Sequence, residues 1–259
     1  PPKSIIRFRW SFLEAFYIKL LKIKGGFSMK KLTFLTIFIL IFSLFTLPVQ
    51  AQSKKPTLTP SDVRGGGGFK IGVIHLDLNQ INSYLQDNGY NKTFNENLVM
   101  FGGGGIGGKK EGLRFGGYGI GGTQKVTGSG DQEALLTLGY GGFLVERGIY
   151  VRDNMDLALH SLIGGGGMEL EIVHDDPKDV EEGVGTPHGT YLKKEFMALQ
   201  PGVNLHYQFA ENMGLDLSLG YLLTLDFGED DWKIGDQSVA SDIEDFGGPI
   251  FNLQISFGL

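Results

Sequence analysis

The sequence contains no cysteine, and this absence excludes several kinds of protein at once. Without thiols the chain has no disulfide framework, no thiolate nucleophile and no thiolate-bound zinc. Charged residues are also scarce: they make up 20% of the 259 residues, which is low for a surface that faces water throughout. We therefore expect something other than water to cover part of the protein.

Basic residues are too few for a nucleic-acid-binding protein. The chain has 23 Lys and Arg against 29 Asp and Glu, a formal net charge of −6. Residues 1–51 hold eight of the basic residues and one acid, so the remainder carries a net charge of −13. Binding to phosphate backbones needs basic patches, and we expect no nucleic-acid partner for so acidic a chain.

Two glycine runs imitate nucleotide-binding motifs without the required context. Residues 103–110 fit G-x-x-x-x-G-K, but Lys110 stands where Ser or Thr would bind magnesium, and a turn follows instead of a helix. Residues 117–122 fit G-x-G-x-x-G, again with no helix to direct its N-terminus at a pyrophosphate. The calcium-loop motif D-x-[DN]-x-[DN]-G is also missing. We therefore expect no cofactor and no dedicated metal site.

The most apolar segment has the layout of a secretory signal peptide. The charged start Met29-Lys30-Lys31 precedes the apolar run LTFLTIFILIFSLFTL and the small-residue site Pro48-Val49-Gln50-Ala51, which predicts cleavage after Ala51. The run has 16 residues, fewer than the roughly 20 of a membrane-spanning helix. An uncleaved anchor is the less favoured alternative.

Residues 1–28 are predicted to be translated leader and not part of the protein. Lys24-Gly25-Gly26 could be encoded by AAAGGAGG, a ribosome-binding sequence at the right distance before a Met29 start codon. The alternative is a basic amphipathic helix at a membrane surface. We expect a signal peptide over 29–51, a polar N-terminal lead over 52–64 and one domain over 65–259.

The chain after the signal peptide alternates between apolar and polar residues, the period of β-strands. Odd-numbered positions from 215 to 225 are apolar, as are those from 203 to 209, and a tight turn at 210–214 joins the two runs into a hairpin. The expected fold class is all-β, a closed antiparallel up-and-down eight-stranded (transmembrane) β-barrel. Its strands are predicted at about 66–78, 97–109, 112–125, 132–147, 154–173, 193–210, 213–227 and 248–259.

The connections between these strands alternate in length. Those at 109–112, 147–153 and 211–212 are short, those at 79–96, 174–192 and 228–247 are long, and 126–131 is the exception. Short turns on one rim and long loops on the other are typical of outer-membrane barrels, whose apolar faces meet lipid and whose polar faces line the lumen. A soluble exported barrel with an ordinary apolar core shows the same alternation and stays open as an alternative.

Together these features resemble the small eight-stranded outer-membrane β-barrel proteins of diderm bacteria. The last strand, with Phe251, Leu253, Ile255, Phe257 and Leu259 on one face, is similar to the C-terminal signal that outer-membrane assembly machinery reads. Chains of that family usually end in an aromatic residue, whereas Phe257 lies two positions before Leu259 here. The resemblance implies an outer-membrane location, with outer-membrane lipid and the assembly machinery as partners.

Six polar residues on the predicted lumen face are candidates for a functional site: Asp156, His160, Asn204, His206, Asp216 and Ser218. A histidine beside a carboxylate could act as a general base and Ser218 as a nucleophile, so a lipid-modifying acyl hydrolase or acyltransferase is the enzyme alternative. A hydrogen-bonded network that fills the lumen needs the same residue types. We predict the latter, hence a structural or surface-interaction role without catalysis, and no general diffusion pore in so narrow a porin-like barrel.

Glycine occupies 41 positions and is concentrated within 102–108, 116–122, 139–142 and 164–167. Glycine weakens strands, so we expect these residues to permit bending and to leave room for Tyr118, Tyr140 and Phe143, with a smooth ligand groove as the alternative. Valine at Gly103 and Gly165 should then impair assembly.

Two connections carry further signals. The acidic stretches 174–182 and 228–245 could attract divalent cations at the outer rim, although ordinary solvated loops are the favoured interpretation. Leu78, Ile81, Tyr84 and Leu85 have helical spacing and predict a short helix over 78–88 that caps the outer mouth or lies against the rim.

Overall fold

The computed structural model describes residues 63–87, 89–128, 132–173, 189–225, 232–234, 237–239 and 247–258. The predicted leader, the signal peptide and Leu259 lie outside these ranges. A helix, α1 (Asn79–Asp87), lies between the first two strands. The strands are β1 (Val63–His75), β2 (Asn97–Lys109), β3 (Leu113–Thr127), β4 (Glu133–Arg152), β5 (Met155–Val173), β6 (Gly189–Ala210), β7 (Met213–Leu225), β8 (Trp232–Ile234), β9 (Gln237–Val239) and β10 (Gly248–Phe257).

The strands β1 to β7 and β10 close into one barrel. Each strand from β1 to β6 pairs antiparallel with the next along the chain, and β10 pairs with both β7 and β1. The predicted fold class, a closed antiparallel up-and-down eight-stranded β-barrel, is confirmed. Closure leaves these strands without an unpaired edge. The small hairpin β8–β9 attaches beside β6.

The largest differences from the predicted strand bounds concern β1, β4 and β6. β1 begins at Val63 because its pairing with β2 continues through Val63↔Lys109 and Arg64↔Gly108. Arg64 therefore belongs to the barrel and not to the polar lead predicted for 52–64. β4 extends to Arg152, which pairs with Met155, and β6 begins at Gly189, which pairs with Val173.

The connections sort onto two rims. The turn rim carries the short connections at 110–112, 153–154 and 211–212. It also carries the described chain ends, where the Gly258 amide donates to the Asn212 carbonyl at 3.2 Å. The loop rim carries α1 and the remaining connections. The acidic stretches predicted at 174–182 and 228–245 lie wholly or mostly outside the described residues.

Large apolar side chains cover the outer face of the barrel. Those with exposed fractions from 36% to 58% include Phe69, Ile71, Val73, Val99, Phe101, Phe115, Phe143, Ile163, Val203, Leu219, Phe251 and Ile255. Rings from neighbouring strands stack there, with centroids 6.2 Å apart for Phe69–Phe101 and 6.0 Å for Phe115–Phe143. The expectation that glycines make room for Phe143 inside the barrel is therefore wrong, because its ring faces outward.

The half of the barrel interior nearest the loop rim is apolar. Its buried side chains include Ile74, Leu98, Met100, Leu136, Leu138, Leu162, Met168, Leu170, Ile172, Phe196, Leu222 and Ile250. The expectation that polar residues line the whole lumen is wrong for this half. Here inward positions of β4 and β5 are apolar because they pack against one another and against the loop-rim residues.

Helix α1 closes the loop rim of this apolar half. Ile81 and Leu85 are buried, while Tyr84 stays exposed, so the predicted short helix is confirmed. The Tyr90 hydroxyl donates to the carbonyls of Glu133 and Val173 at 3.1 and 3.2 Å. Burial raises the pKa of Tyr90, which keeps that hydroxyl protonated as a donor. In the described ranges no helix is long and apolar enough to cross a membrane.

Candidate functional site

The six polar residues proposed from the sequence all lie on the inner face, in the half nearest the turn rim. Asp156, His160, Asn204, Asp216 and Ser218 are buried, and His206 is half-buried. They are brought together by strand register: Asp156 pairs with His206, which pairs with Asp216, and Asn204 pairs with Ser218. Antiparallel pairing of even-numbered positions thus places one polar side chain from each of β5, β6 and β7 side by side on the inner face.

Two arginines form the centre of this polar half. Arg64 Nη1 lies 2.9 Å from Asp156 Oδ1 and 3.4 Å from Glu146 Oε1, and its Nη2 contacts Asp216. Arg114, with no exposed surface, lies 3.1 Å from Asp156 Oδ1 through Nη2 and 2.9 Å from Glu146 Oε1 through Nε. We call these five residues the charge cluster. Since buried charges are tolerated only when paired, the two guanidinium groups explain how three carboxylates share one lumen.

Asn204 and His206 complete the hydrogen bonding of the cluster carboxylates. Asn204 Nδ2 donates to Glu146 Oε2 at 3.1 Å and to Asp216 Oδ1 at 3.3 Å. His206 Nδ1 lies 3.0 Å from Asp216 Oδ1. The Ser218 hydroxyl accepts from Asn252 Nδ2 at 3.2 Å. The carboxylate beside His206 is therefore Asp216, whereas Asp156, which the sequence places on the same face as His160, is bound by the arginines.

A layer of two tyrosines and a glutamine separates the polar half from the apolar half. The hydroxyls of Tyr118 and Tyr140 both donate to Gln200 Oε1 at 2.7 Å. The ammonium of Lys70 lies 3.7 Å from the centre of the Tyr118 ring, on the polar side. All four side chains are buried. In the described part of the chain this layer and the apolar residues beyond it fill the cross-section, as expected for a barrel of eight strands.

Glycines make room for these large inward side chains. A Cβ on Gly104 would lie 2.3 Å from the Tyr118 Cβ, and one on Gly166 would lie 2.5 Å from the Tyr140 Cβ. The outward Gly165 differs, because its Cβ would meet nothing closer than the Phe196 carbonyl oxygen at 3.5 Å. Gly165 is thus a poor choice for the substitution proposed from the sequence, whereas a Cβ on Gly103, the other position proposed, would lie 2.8 Å from the Gly68 carbonyl oxygen.

A cavity of about 70 Å³ remains within the polar half. Its wall includes Arg64, Glu146, Asp216, His206, Lys70 and His160, and it reaches the turn rim at Lys110 and Asn212. The wall combines these charged groups with apolar surface from residues such as Ile106 and Leu144, and the volume exceeds the roughly 30 Å³ share of one liquid water. Among the described residues no cluster of three or more His, Asp or Glu side chains is arranged to hold a metal ion.

Several site residues were missed by the sequence analysis, chiefly Arg64, Lys70, Arg114, Glu146 and Gln200. The prediction favoured histidines because of their acid–base chemistry, and it placed Arg64 in the polar lead. The sequence did contain a signal for them. Side chains alternate between the two faces of a strand, and each of these residues lies an even number of positions from the inward residues of its strand. A charge within a strand of a narrow barrel has to face inward if the other face meets lipid.

Comparisons with known proteins give little further information. No protein-family model matches the sequence, and no curated protein matches it. Among solved structures the chain is similar to Ail, the attachment invasion locus protein of Yersinia pestis, in complex with the heparin analogue sucrose octasulfate. The TM-score is 0.43 and the sequence identity 11%, over 76% of this chain and 98% of that chain. No residue role is carried across at this level.

Proposed function

We propose that this chain is an integral outer-membrane β-barrel of a diderm bacterium, exported through the signal peptide at 29–51, with a structural or surface-interaction role and no catalysis. The observation that carries the proposal is the apolar outer face of a closed barrel. Monomeric soluble proteins rarely expose contiguous apolar patches larger than a few hundred Å². Lipid would cover such a face, and closure satisfies every ladder hydrogen bond without water.

The length of the apolar face fits a bilayer. Outward positions of β6 are apolar from Met197 to Phe209, a span that exceeds the roughly 9 to 11 residues with which a tilted strand crosses a membrane. Beyond Met197 the outward residues of β6 become Glu195 and Lys193, and those of β5 become Glu169 and Glu171. This change marks the proposed boundary with the outer headgroups.

The filled interior supports a role at the surface instead of in general diffusion. The tyrosine layer and the apolar half close the described lumen, so the parts free to contact other molecules are the rims and the loops. The acidic loop stretches remain candidates for divalent cations shared with anionic lipid, and β10 for recognition by the assembly machinery.

The first test is gel mobility of the mature protein from a detergent-extracted outer-membrane fraction, with and without boiling. A closed membrane barrel runs compact until it is heated, so we expect a heat-dependent shift in the membrane fraction. A soluble protein without the shift would favour the alternative of an exported ligand-binding barrel.

A matched pair of lysine substitutions tests lipid contact directly. Leu219 is 58% exposed on the outer face, and Thr127 is exposed near the loop rim. Lysine on the lipid face costs about 2–4 kcal/mol at the membrane midplane and far less at the boundary, so L219K should lower stability in lipid vesicles and T127K should not. Two equally stable variants would indicate that Leu219 faces water.

The enzyme alternative rests on one contact, His206 with Asp216. It predicts that H160A and H206A together change the lipid composition of the outer membrane. We expect an unchanged lipid profile, because Asp216 is also bound by Arg64 and the cavity reaches the turn rim and not the lipid-facing wall.

A further inference from the structure

Lys70 is a buried cation without an anionic partner. Its side chain projects into the cavity with 8% of its surface exposed, and its ammonium lies against the face of Tyr118. The aromatic face stabilises positive charge on one side of the ammonium. The three N–H donors of Lys70 have no hydrogen-bond acceptor among the described residues. A buried charged donor in this condition is costly unless something else occupies the cavity.

The carboxylates of the charge cluster do not contact Lys70, since each is held by other partners. Glu146 and Asp156 are contacted by both arginines, and Asp216 by Arg64 and His206. Lys70 forms no ion pair with any of them. Lys70 is therefore buried in the described lumen without a contacting counter-charge.

His160 presents a second basic group to the same cavity. Its ring is buried, lines the cavity and makes no hydrogen bond to the described residues. Space for the ring is kept by Gly202, where a Cβ would lie 2.7 Å from His160 Nε2. The Lys70 ammonium and the His160 ring thus line the same cavity, and neither has a hydrogen-bond partner among the described residues.

We propose that this cavity binds one small monovalent anion of halide size, held by the Lys70 ammonium and a His160 ring N–H. A cavity of about 70 Å³ admits such an ion with part of its hydration shell. Asn252 and Ser218, also in its wall, offer further hydrogen bonds to that shell. The ion enters from the turn rim, where Lys110 lies at the mouth. This site is independent of the membrane proposal, since it depends only on the lumen.

The test uses the folded protein purified in detergent, with bromide as the probe. In crystals grown with sodium bromide we expect one anomalous peak in the cavity, within hydrogen-bond distance of Lys70 Nζ. An ordered water at that position without bromide, or bromide only on the outer surface, would overturn the proposal. This arm needs no variant and does not depend on whether a substitution folds.

The second arm measures broadening of the chloride nuclear magnetic resonance line in solution. Wild-type protein should broaden the line beyond the detergent blank, and K70M should weaken the apparent affinity about tenfold or more, because a charge-assisted hydrogen bond is lost. The matched control is K125M, which removes an exposed lysine near the loop rim. Equal broadening by wild type and by K70M that retains its heat-dependent mobility would contradict the assignment.

Discussion

The two halves of the barrel interior are built from the same eight strands but are stabilised in different ways. The half near the loop rim is filled by close-packed apolar side chains and capped by α1. The half near the turn rim contains the charge cluster and a cavity. A narrow barrel can thus fill one end by packing alone and keep polar groups at the other. Any binding capacity of the interior is therefore confined to the polar half.

The two halves also differ in how much stability is lost when a side chain is removed. In the apolar half a truncation leaves a void, whose cost depends on how far the neighbours relax. In the polar half the removal of one ion leaves its partners charged and buried, which costs more than the pair itself contributed. The predictions that follow compare these costs.

The largest effect is expected for R114M. Arg114 has no exposed surface and contacts both Glu146 and Asp156, so its loss leaves these two buried carboxylates with Arg64 as the one cation that contacts them. Breaking a buried ion pair costs about 3–5 kcal/mol. The free energy of unfolding in urea, followed by the fluorescence of the buried Trp232, should fall by this amount.

The control for R114M is R152M, which removes an exposed arginine paired with Asp153 at the turn rim. Exposed pairs contribute about 0–1 kcal/mol, so R152M should unfold almost as wild type does. Equal losses for the two variants would show that the charge cluster is not the anchor of the polar half.

A smaller loss, about 3 kcal/mol, is expected for L136A in the apolar half. Leu136 is completely buried among the inward residues of β4, and its truncation opens a void beneath the loop rim. The neighbouring L135A removes an outward side chain and is the matched control. The same urea titration distinguishes them, and a loss for L135A as large as that for L136A would place Leu135 in a packed core.

The smallest effect, about 1–3 kcal/mol, is expected for G166A near the boundary between the halves. Its new Cβ would lie 2.5 Å from the Gly139 carbonyl oxygen and from the Tyr140 Cβ, so the tyrosine layer has to shift. The adjacent G165A should be nearly neutral, since its Cβ meets nothing closer than 3.5 Å. If G165A were the less stable of the two, the inward direction of Gly166 would be contradicted.

The fold could be predicted from alternation because inward and outward positions differ chemically along most strands. The predicted start of β1 was less accurate, because the glycines at 65–68 carry no side chain to show which face is apolar. It also failed for the apolar half of the lumen, because there the inward residues of β4, such as Leu136 and Leu138, are more apolar than the outward Thr137 and Gly139, which reverses the expected pattern. In such stretches the inward face of a strand can be identified only when packing partners are known.

The candidate site was less accessible to sequence analysis. Arg64 and Asp216 are 152 positions apart and meet only because closure and register bring β1 and β7 to the same level of the lumen. Strand parity gives the face on which a residue lies, but the relative shift of neighbouring strands decides which residues meet. That shift is set by the complete ring of pairings.

The position of Arg64 near the start of β1 has a consequence for how the protein folds. Two of its three carboxylate partners lie on β4 and β5, and the third, Asp216, lies on β7, beyond the pairing of β1 with β10. A sheet in which β1 and β10 have not yet paired does not hold β7, and hence Asp216, beside Arg64. The contact of Arg64 with Asp216 therefore stabilises the closed ring of strands and not an open sheet.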